Sequence, residues 1–446
     1  MVADPGSGAD QAVATPAPRP LGLWSAIALV VGNIIGSGLF LLPAALAEYG
    51  GAASIGWAWS LGGAMLLSIV FARLAAHLPR AGGPYAYTRI AFGEVAGFLM
   101  AWSYWISCWC GVAAIAVAAA GSLGALFPAL IATPWRAAGS ALVALWLATA
   151  VNLIDLRAVG STQVTTVILK VVPLLVIVLA GLPHVEPARL VPSIDAGGSW
   201  WSAAAATAAL TMWAFQGLES ATIPADQVTD AARLIPRATW IGTALAGLVT
   251  IAACSVVLGL IAPADLRGST APFADAATLL WGSWGGRVFA AVATISCLGA
   301  LNGWVLVQGQ IPAAAARDGL FPARLAPSRP DAPPRLAVLI SSGLATALVI
   351  AFFSSSLVSV FSASVLLATA AALLPYLMSA AAALRLRDRL DGRRRGTIPI
   401  AIGALLYSAW ALWGTGARAL WWFAGLMAAG AVIYSIRRAI AGRAAA

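Results

Sequence analysis

Apolar residues run along this 446-residue chain in stretches longer than about eighteen, the length at which a helix crosses the hydrocarbon core of a bilayer. Twelve such segments are expected, at roughly 22–47, 53–75, 94–125, 137–154, 159–182, 199–225, 237–263, 279–315, 335–354, 357–384, 397–415 and 419–437. Two of them are interrupted. The first carries Gly32-Asn33-Ile34-Ile35-Gly36-Ser37-Gly38-Leu39-Phe40 and then Pro43. The sixth carries Thr211-Met212-Trp213-Ala214-Phe215-Gln216-Gly217-Leu218-Glu219-Ser220 and then Pro224. Glycine and proline each lower the cost of unwinding a helix. Unwound backbone at membrane depth is tolerated only where protein or a water-filled cavity satisfies it.

Spans one and six open two successive blocks of five. An odd number of spans inverts the second block, and matching interruptions in inverted halves point to a binding site near the bilayer midplane. The predicted fold is therefore an all-α membrane protein with two inverted five-helix repeats and two added C-terminal helices. Repeat one covers about 22–182, repeat two about 199–384, and the added helices about 397–437, all in one membrane domain spanning 21–438. Freed N–H groups at Gly36-Ser37-Gly38 would face a carboxylate, helped by the dipole of the half-helix they begin; close helix packing is the alternative use of these small residues.

Composition agrees with lipid as the solvent. The chain is 61% hydrophobic and 9% charged, where a soluble domain is about a quarter charged. The net charge of +10 raises nucleic acid as a partner, but its placement argues otherwise. Sorted by side of the membrane, twenty arginines fall at one end, including the cluster from Arg385 to Arg395; only Arg136, Arg189, Arg267, Arg287 and Arg418 fall at the other. This is the positive-inside asymmetry, which places both termini in the cytoplasm of a multi-pass inner-membrane protein. Residues 1–20 have no apolar core and read as a disordered cytoplasmic tail, with a short tail again at 439–446. Cys108, Cys110, Cys254 and Cys297 all lie within spans, without metal-ligand spacing, so neither metal nor cofactor is expected.

Three charged or aromatic features stand out against this apolar background. Of sixteen Asp and Glu residues, only Glu219 lies inside a span, and a lone intramembrane carboxylate marks a functional site; here the expected role is gating or proton sensing. Lys170 is the only lysine and sits mid-span in Val167-Ile168-Leu169-Lys170-Val171-Val172-Pro173. Its ammonium can take the place of a sodium ion by bonding carbonyls of a broken helix, or snorkel toward an interface. Trp213 adjoins the second interruption and Trp304 follows Asn302-Gly303 in span eight, where an aromatic face could stack on a ligand side chain. Tyr104 and Tyr376 are further candidates for lining or gating.

These residues carry a resemblance. Over about 21–438 the chain resembles the amino acid–polyamine–organocation transporters, in particular the arginine/agmatine antiporter branch. The motifs are Gly32-Asn33-Ile34-Ile35-Gly36-Ser37-Gly38, Gly82-Gly83-Pro84-Tyr85-Ala86-Tyr87, Tyr104-Trp105 with Cys108-Trp109, Trp213 through Glu219-Ser220, Cys297-Leu298-Gly299 with Gly303-Trp304, and Asp318-Gly319-Leu320-Phe321-Pro322. The resemblance implies that Ser37 and Gly38 hold a substrate carboxylate, and that carbonyls of Ile34, Trp213 and Gln216 hold its amino group. It makes Trp213 a middle gate, Trp304 a stacking surface, Glu219 with Tyr104 and Tyr376 a gate nearer the cytoplasm, and Tyr85 an inner layer. Homodimers are common in the branch.

Two departures matter. The Asn and Ser that help hold a guanidinium in that branch are Val112 and Ala368 here, which leaves about 1–3 kcal/mol of unmet hydrogen bonding at each. New polar groups stand at Ser107, Gln216 and Asn302, and Ser107 and Cys108 complete the candidate pocket. Lys170 is absent from that branch and resembles the lysine that replaces sodium in proton-linked permeases of the wider family. The expected function is sodium-independent movement of an amino acid, arginine or another basic one, in exchange for its decarboxylated amine. Proton-coupled symport of a neutral amino acid is the alternative. A membrane enzyme lacks support, since His77 and His184 stand alone and Glu219 has no acidic partner; a channel lacks rings of polar residues.

Overall fold

In the computed structural model, residues 22–78, 83–154, 163–191, 200–222, 230–327, 329, 332–390 and 396–445 are described. The predicted tail at 1–20, Gly82, Pro224 and the arginines at 393–395 lie outside them. Every regular element among the described residues is helical: α1 (Leu23–Ile34), α2 (Leu42–Leu46), α3 (Ala52–His77), α4 (Pro84–Phe92), α5 (Glu94–Leu126), α6 (Pro134–Ile154), α7 (Gln163–Gly181), α8 (Trp200–Trp213), α9 (Ala231–Leu260), α10 (Pro263–Gly268), α11 (Pro272–Arg317), α12 (Arg335–Ala351), α13 (Leu357–Arg385), α14 (Arg387–Leu390), α15 (Thr397–Gly414) and α16 (Gly416–Ala445). Proline opens α4, α6, α10 and α11, where its missing N–H costs nothing.

Eight of these helices are long and apolar enough to cross a bilayer, and α1 with the segment after it forms a ninth, bent span. The other three expected spans are α7, α8 and α12, of 19, 14 and 17 residues. Two differences from the expected boundaries have local causes. α11 begins earlier than expected and is bent at Gly282, whose φ of 73° lies in the left-handed region that glycine enters freely. α16 runs on through the expected C-terminal tail to Ala445.

Burial orders the bundle. The most apolar window of α5 is 94% buried, against 17% for α16, so α5 is the axis and α16 a peripheral helix. Around α5 pack α4, α6, α11, α12, α13 and α16, while α1 lies against α7 and α9. Large apolar side chains such as Val143, Leu147, Leu248, Trp421 and Val432 point outward. In water they would be a liability; in hydrocarbon they are the solvent-facing surface.

Candidate functional site

The two interruptions are real breaks, and they touch. α1 ends at Ile34, and the N–H of Gly36 turns back to the carbonyl of Ile34 at 2.7 Å. The chain then resumes in a 3-10 turn, Ser37–Leu41, that leads into α2. Ser37 and Gly38 are its first two residues, so their N–H groups have no carbonyl a turn earlier within it. α8 ends at Trp213, and residues 214–219 form turns before a second 3-10 segment, Ser220–Thr222. At the centre of that break Gly217 has a φ of 104°. A Cβ there would lie 2.9 Å from Cβ of Asn33. Only glycine supplies both the backbone angle and the close approach of the two breaks.

The break in span one also explains Lys170. In an unbroken helix the carbonyl of Gly32 would accept from the N–H of Gly36, but that N–H is committed to Ile34. Lys170 of α7 takes the vacated place, with Nζ 3.4 Å from the Gly32 oxygen, and the side chain is 6% exposed. A buried ammonium thus satisfies backbone that the break set free.

Between the breaks lies a cavity of about 20 Å³ lined by Asn33, Ile34, Gly36, Leu39, Ile115, Trp213, Ala214, Gln216 and Trp304. That volume suits about one water, so the breaks are drawn together and a larger occupant needs the Trp213 and Trp304 rings to move. Gln216 contributes the sharpest polar feature. Its Oε1 accepts from the Ser107 hydroxyl at 3.1 Å, while its buried Nε2 has no partner among the described residues. The structure therefore brings Ile34, Ser107, Trp213, Gln216 and Trp304 together at one place. Cys108, Val112 and Ala368 are fully buried nearby in the bundle without lining this cavity.

On the side of the break away from Trp213, Glu219 is fully buried. Tyr104 of α5 donates to Oε1 at 2.5 Å and Tyr376 of α13 donates to Oε2 at 2.6 Å. The N–H of Gly217 adds a third donor to Oε2 at 3.3 Å. A carboxylate taken out of water needs such donors, and these tie α5 and α13 to the broken span.

A further polar layer lies at the basic end. Tyr85 of α4 donates to Oδ2 of Asp318 at 3.0 Å, and Arg89 reaches the same carboxylate at 3.8 Å and Glu94 at 3.4 Å. Burial pushes the Tyr85 hydroxyl above its ordinary range, aided by the Asp318 charge, so it remains a neutral donor. Arg437 of α16 donates to the carbonyls of Gly319 and Leu320, fixing the loop that presents Asp318.

Sequence reasoning missed four contributors. Ile115 and Leu39 line the cavity as ordinary apolar residues, with no signal to separate them from neighbours. Gly111 lets the edge of the Trp213 ring approach α5: a Cβ there would stand 2.6 Å from Cη2 of the ring. Asn152 of α6 grips the helix that carries Trp304, its Nδ2 lying 2.7 Å from Oδ1 and 3.1 Å from the carbonyl of Asn302. Asn302, expected as a new polar group of the pocket, is thus engaged with α6 instead.

A lipid-facing helical bundle whose broken helices meet at a buried polar site has the architecture of a polytopic membrane carrier. The chain belongs to the amino acid permease family, whose sequence pattern matches residues 21–437; that is a family of transporters, not of enzymes. A cadaverine/lysine antiporter of Escherichia coli (strain K12) is 33% identical, over 74% of this chain and 74% of its own. A Bacillus subtilis protein named for arginine/ornithine antiport is 30% identical, over 88% of this chain and 91% of its own. A putrescine transporter of Haemophilus influenzae is 29% identical, over 90% and 93%.

Proposed function

We propose that this protein exchanges a basic amino acid for its decarboxylated amine across the inner membrane, without sodium, by alternating access to the site between the two breaks. The observation that carries the reading is the cavity where Gly36, Gln216, Trp213 and Trp304 converge. In it the Ser37 and Gly38 amides take the carboxylate, and carbonyls of Ile34, Trp213 and Gln216 take the α-amino group. Trp213 is the gate on one side, and Glu219 with Tyr104 and Tyr376 the gate on the other. The names of the relatives, which pair lysine with cadaverine and arginine with ornithine or concern putrescine, support a basic amino acid or diamine. Val112 and Ala368 favour an aliphatic ammonium over a guanidinium, whose five donors would find fewer partners there.

The same reading places both termini in the cytoplasm, divides the twelve spans into two inverted repeats plus α15 and α16, and allows a homodimer. A second reading, proton-coupled symport of a neutral amino acid, is favoured by one observation: Lys170 holds the Gly32 carbonyl where a transported or exchanged cation could otherwise act. Proteoliposomes discriminate the two. Loaded with unlabelled cadaverine, putrescine or agmatine in sodium-free buffer, they should take up labelled lysine, ornithine or arginine only when an amine is inside. Uptake of neutral amino acids driven by an imposed proton gradient, indifferent to internal amine, overturns the exchange reading.

A further inference from the structure

The end of the bundle opposite the basic one contains a second cavity, whose lining shares no residue with the cavity between the breaks. It measures about 860 Å³ and lies among α12, α13 and α16, with Trp109 of α5 behind it. Its origin is a divergence of neighbours. α12 packs on α5, α6 and α11, whereas α13 packs on α3, α4, α5, α8, α15 and α16, so the two helices joined through 352–356 separate and leave a cleft. The deeper wall is apolar, formed by Leu344, Leu348, Leu366, Trp422 and Leu426. From Arg418 to Leu426 the α16 wall descends about 12 Å at 1.5 Å per residue, a depth that matches much of an acyl chain.

The mouth has a different chemistry. Arg267 in the last turn of α10, Arg418 at the start of α16 and Glu48 just after α2 line the cleft. Both guanidiniums are held in position without being neutralised. Nε of Arg267 donates to the carbonyl of Ala47 at 3.4 Å, and Arg418 sits 5.4 Å over the ring of Phe352. Among the described residues, neither has a carboxylate within 4.0 Å.

We propose that this cleft is a binding site for one phospholipid with a primary-amine headgroup, phosphatidylethanolamine being the probe. Arg267 and Arg418 take the phosphate, which guanidinium donors match well. Glu48 takes the ammonium, and an acyl chain fills the wall between α12 and α16. The charge pattern selects the headgroup. A purely anionic headgroup would meet Glu48 as a like charge, and a trimethylated amine has no N–H to offer its carboxylate.

The test uses the full-length protein in detergent, delipidated and titrated with phosphatidylethanolamine, phosphatidylglycerol or phosphatidylcholine while its melting temperature is followed. Wild type should half-saturate with phosphatidylethanolamine at a concentration about tenfold lower than with the other two, and native mass spectrometry should show one such lipid retained. R267Q/R418Q should lose that preference, and E48Q should raise phosphatidylglycerol to the level of phosphatidylethanolamine. Leu348→Trp, which fills the cleft, should abolish the retained lipid while keeping the melting shift caused by substrate. Equal half-saturation by all three lipids in wild type, or an unchanged preference in R267Q/R418Q, overturns the site.

Discussion

The hydroxyl of Tyr104 lies 2.5 Å from Oε1 of Glu219, joining the most buried helix of the bundle to the break in span six. With Tyr376 on the other oxygen, the carboxylate is a three-way junction between α5, α13 and the loop at Gly217. Tyr104→Phe deletes one charge-assisted bond and should cost about 1.5–3 kcal/mol of the closed arrangement, read as a lower melting temperature and faster leak of bound substrate. Glu219→Gln keeps the shape but removes the titrating proton. Initial rates of exchange measured across pH should then become flat; a profile identical to wild type removes Glu219 from any proton role.

Gly217 is required twice over, by its φ of 104° and by the nearness of Asn33. Gly217→Ala should destabilise the protein by about 1–3 kcal/mol from backbone strain alone, with further loss from the contact. The double variant Gly217→Ala with Asn33→Gly separates the two causes. Removing the Asn33 side chain should recover part of the melting temperature and leave the strain; full recovery would show that contact, not backbone angle, sets the requirement.

Lys170 supplies the positive charge beside the broken end of α1. Replacing it by Met keeps the length and leaves the Gly32 carbonyl without its donor, at about 1.5–3 kcal/mol. That corresponds to about a ten- to hundredfold loss of apparent substrate affinity if the break must be ordered to bind. Isothermal titration in sodium-free buffer checks this. A wild-type protein that binds substrate only with sodium present contradicts the assignment of Lys170 to the cation position.

The legible parts of this protein are those in which lipid makes polarity expensive. Breaks at Gly36 and Gly217, the lone Glu219 and the lone Lys170 each violate an apolar span, so each can be found without a structure. The spans themselves follow from length and hydropathy, except where α8 and α12 are short. The partners of these groups are another matter. Tyr104 and Tyr376 become candidates for Glu219 only through family resemblance, because an aromatic residue is at home anywhere in a membrane helix. Gly111 is invisible for the same reason: small residues serve ordinary helix packing, and nothing local marks this one as the seat of Trp213. Asn302 was legible as polar but not in direction, since one hundred degrees of helix rotation per residue decides whether an amide faces a ligand or a neighbouring helix.

That turn of Asn302 leads to the remaining prediction. Asn152 donates to both the side chain and the carbonyl of Asn302, two residues before Trp304 at the cavity wall. The same Nδ2 also lies 2.9 Å from the carbonyl of Ala148 within its own helix, so one amide nitrogen links the two helices. Asn152→Leu keeps the branching of the side chain and removes the grip, leaving the half-buried Asn302 oxygens without this donor at a cost of about 1–3 kcal/mol. Because Trp304 lines the cavity and Asn152 does not, the effect should appear as about a five- to hundredfold rise, the range given by that energy, in the KM for the amino acid, with maximal exchange rate little changed. Asn152→Asp has no N–H to give and sets a carboxylate against the two Asn302 oxygens, so it should not restore the affinity. Asn152→Gln keeps an amide donor and should restore part of it. A variant that lowers the maximal rate and melting temperature with KM intact would make Asn152 a packing residue, without influence on where Trp304 stands.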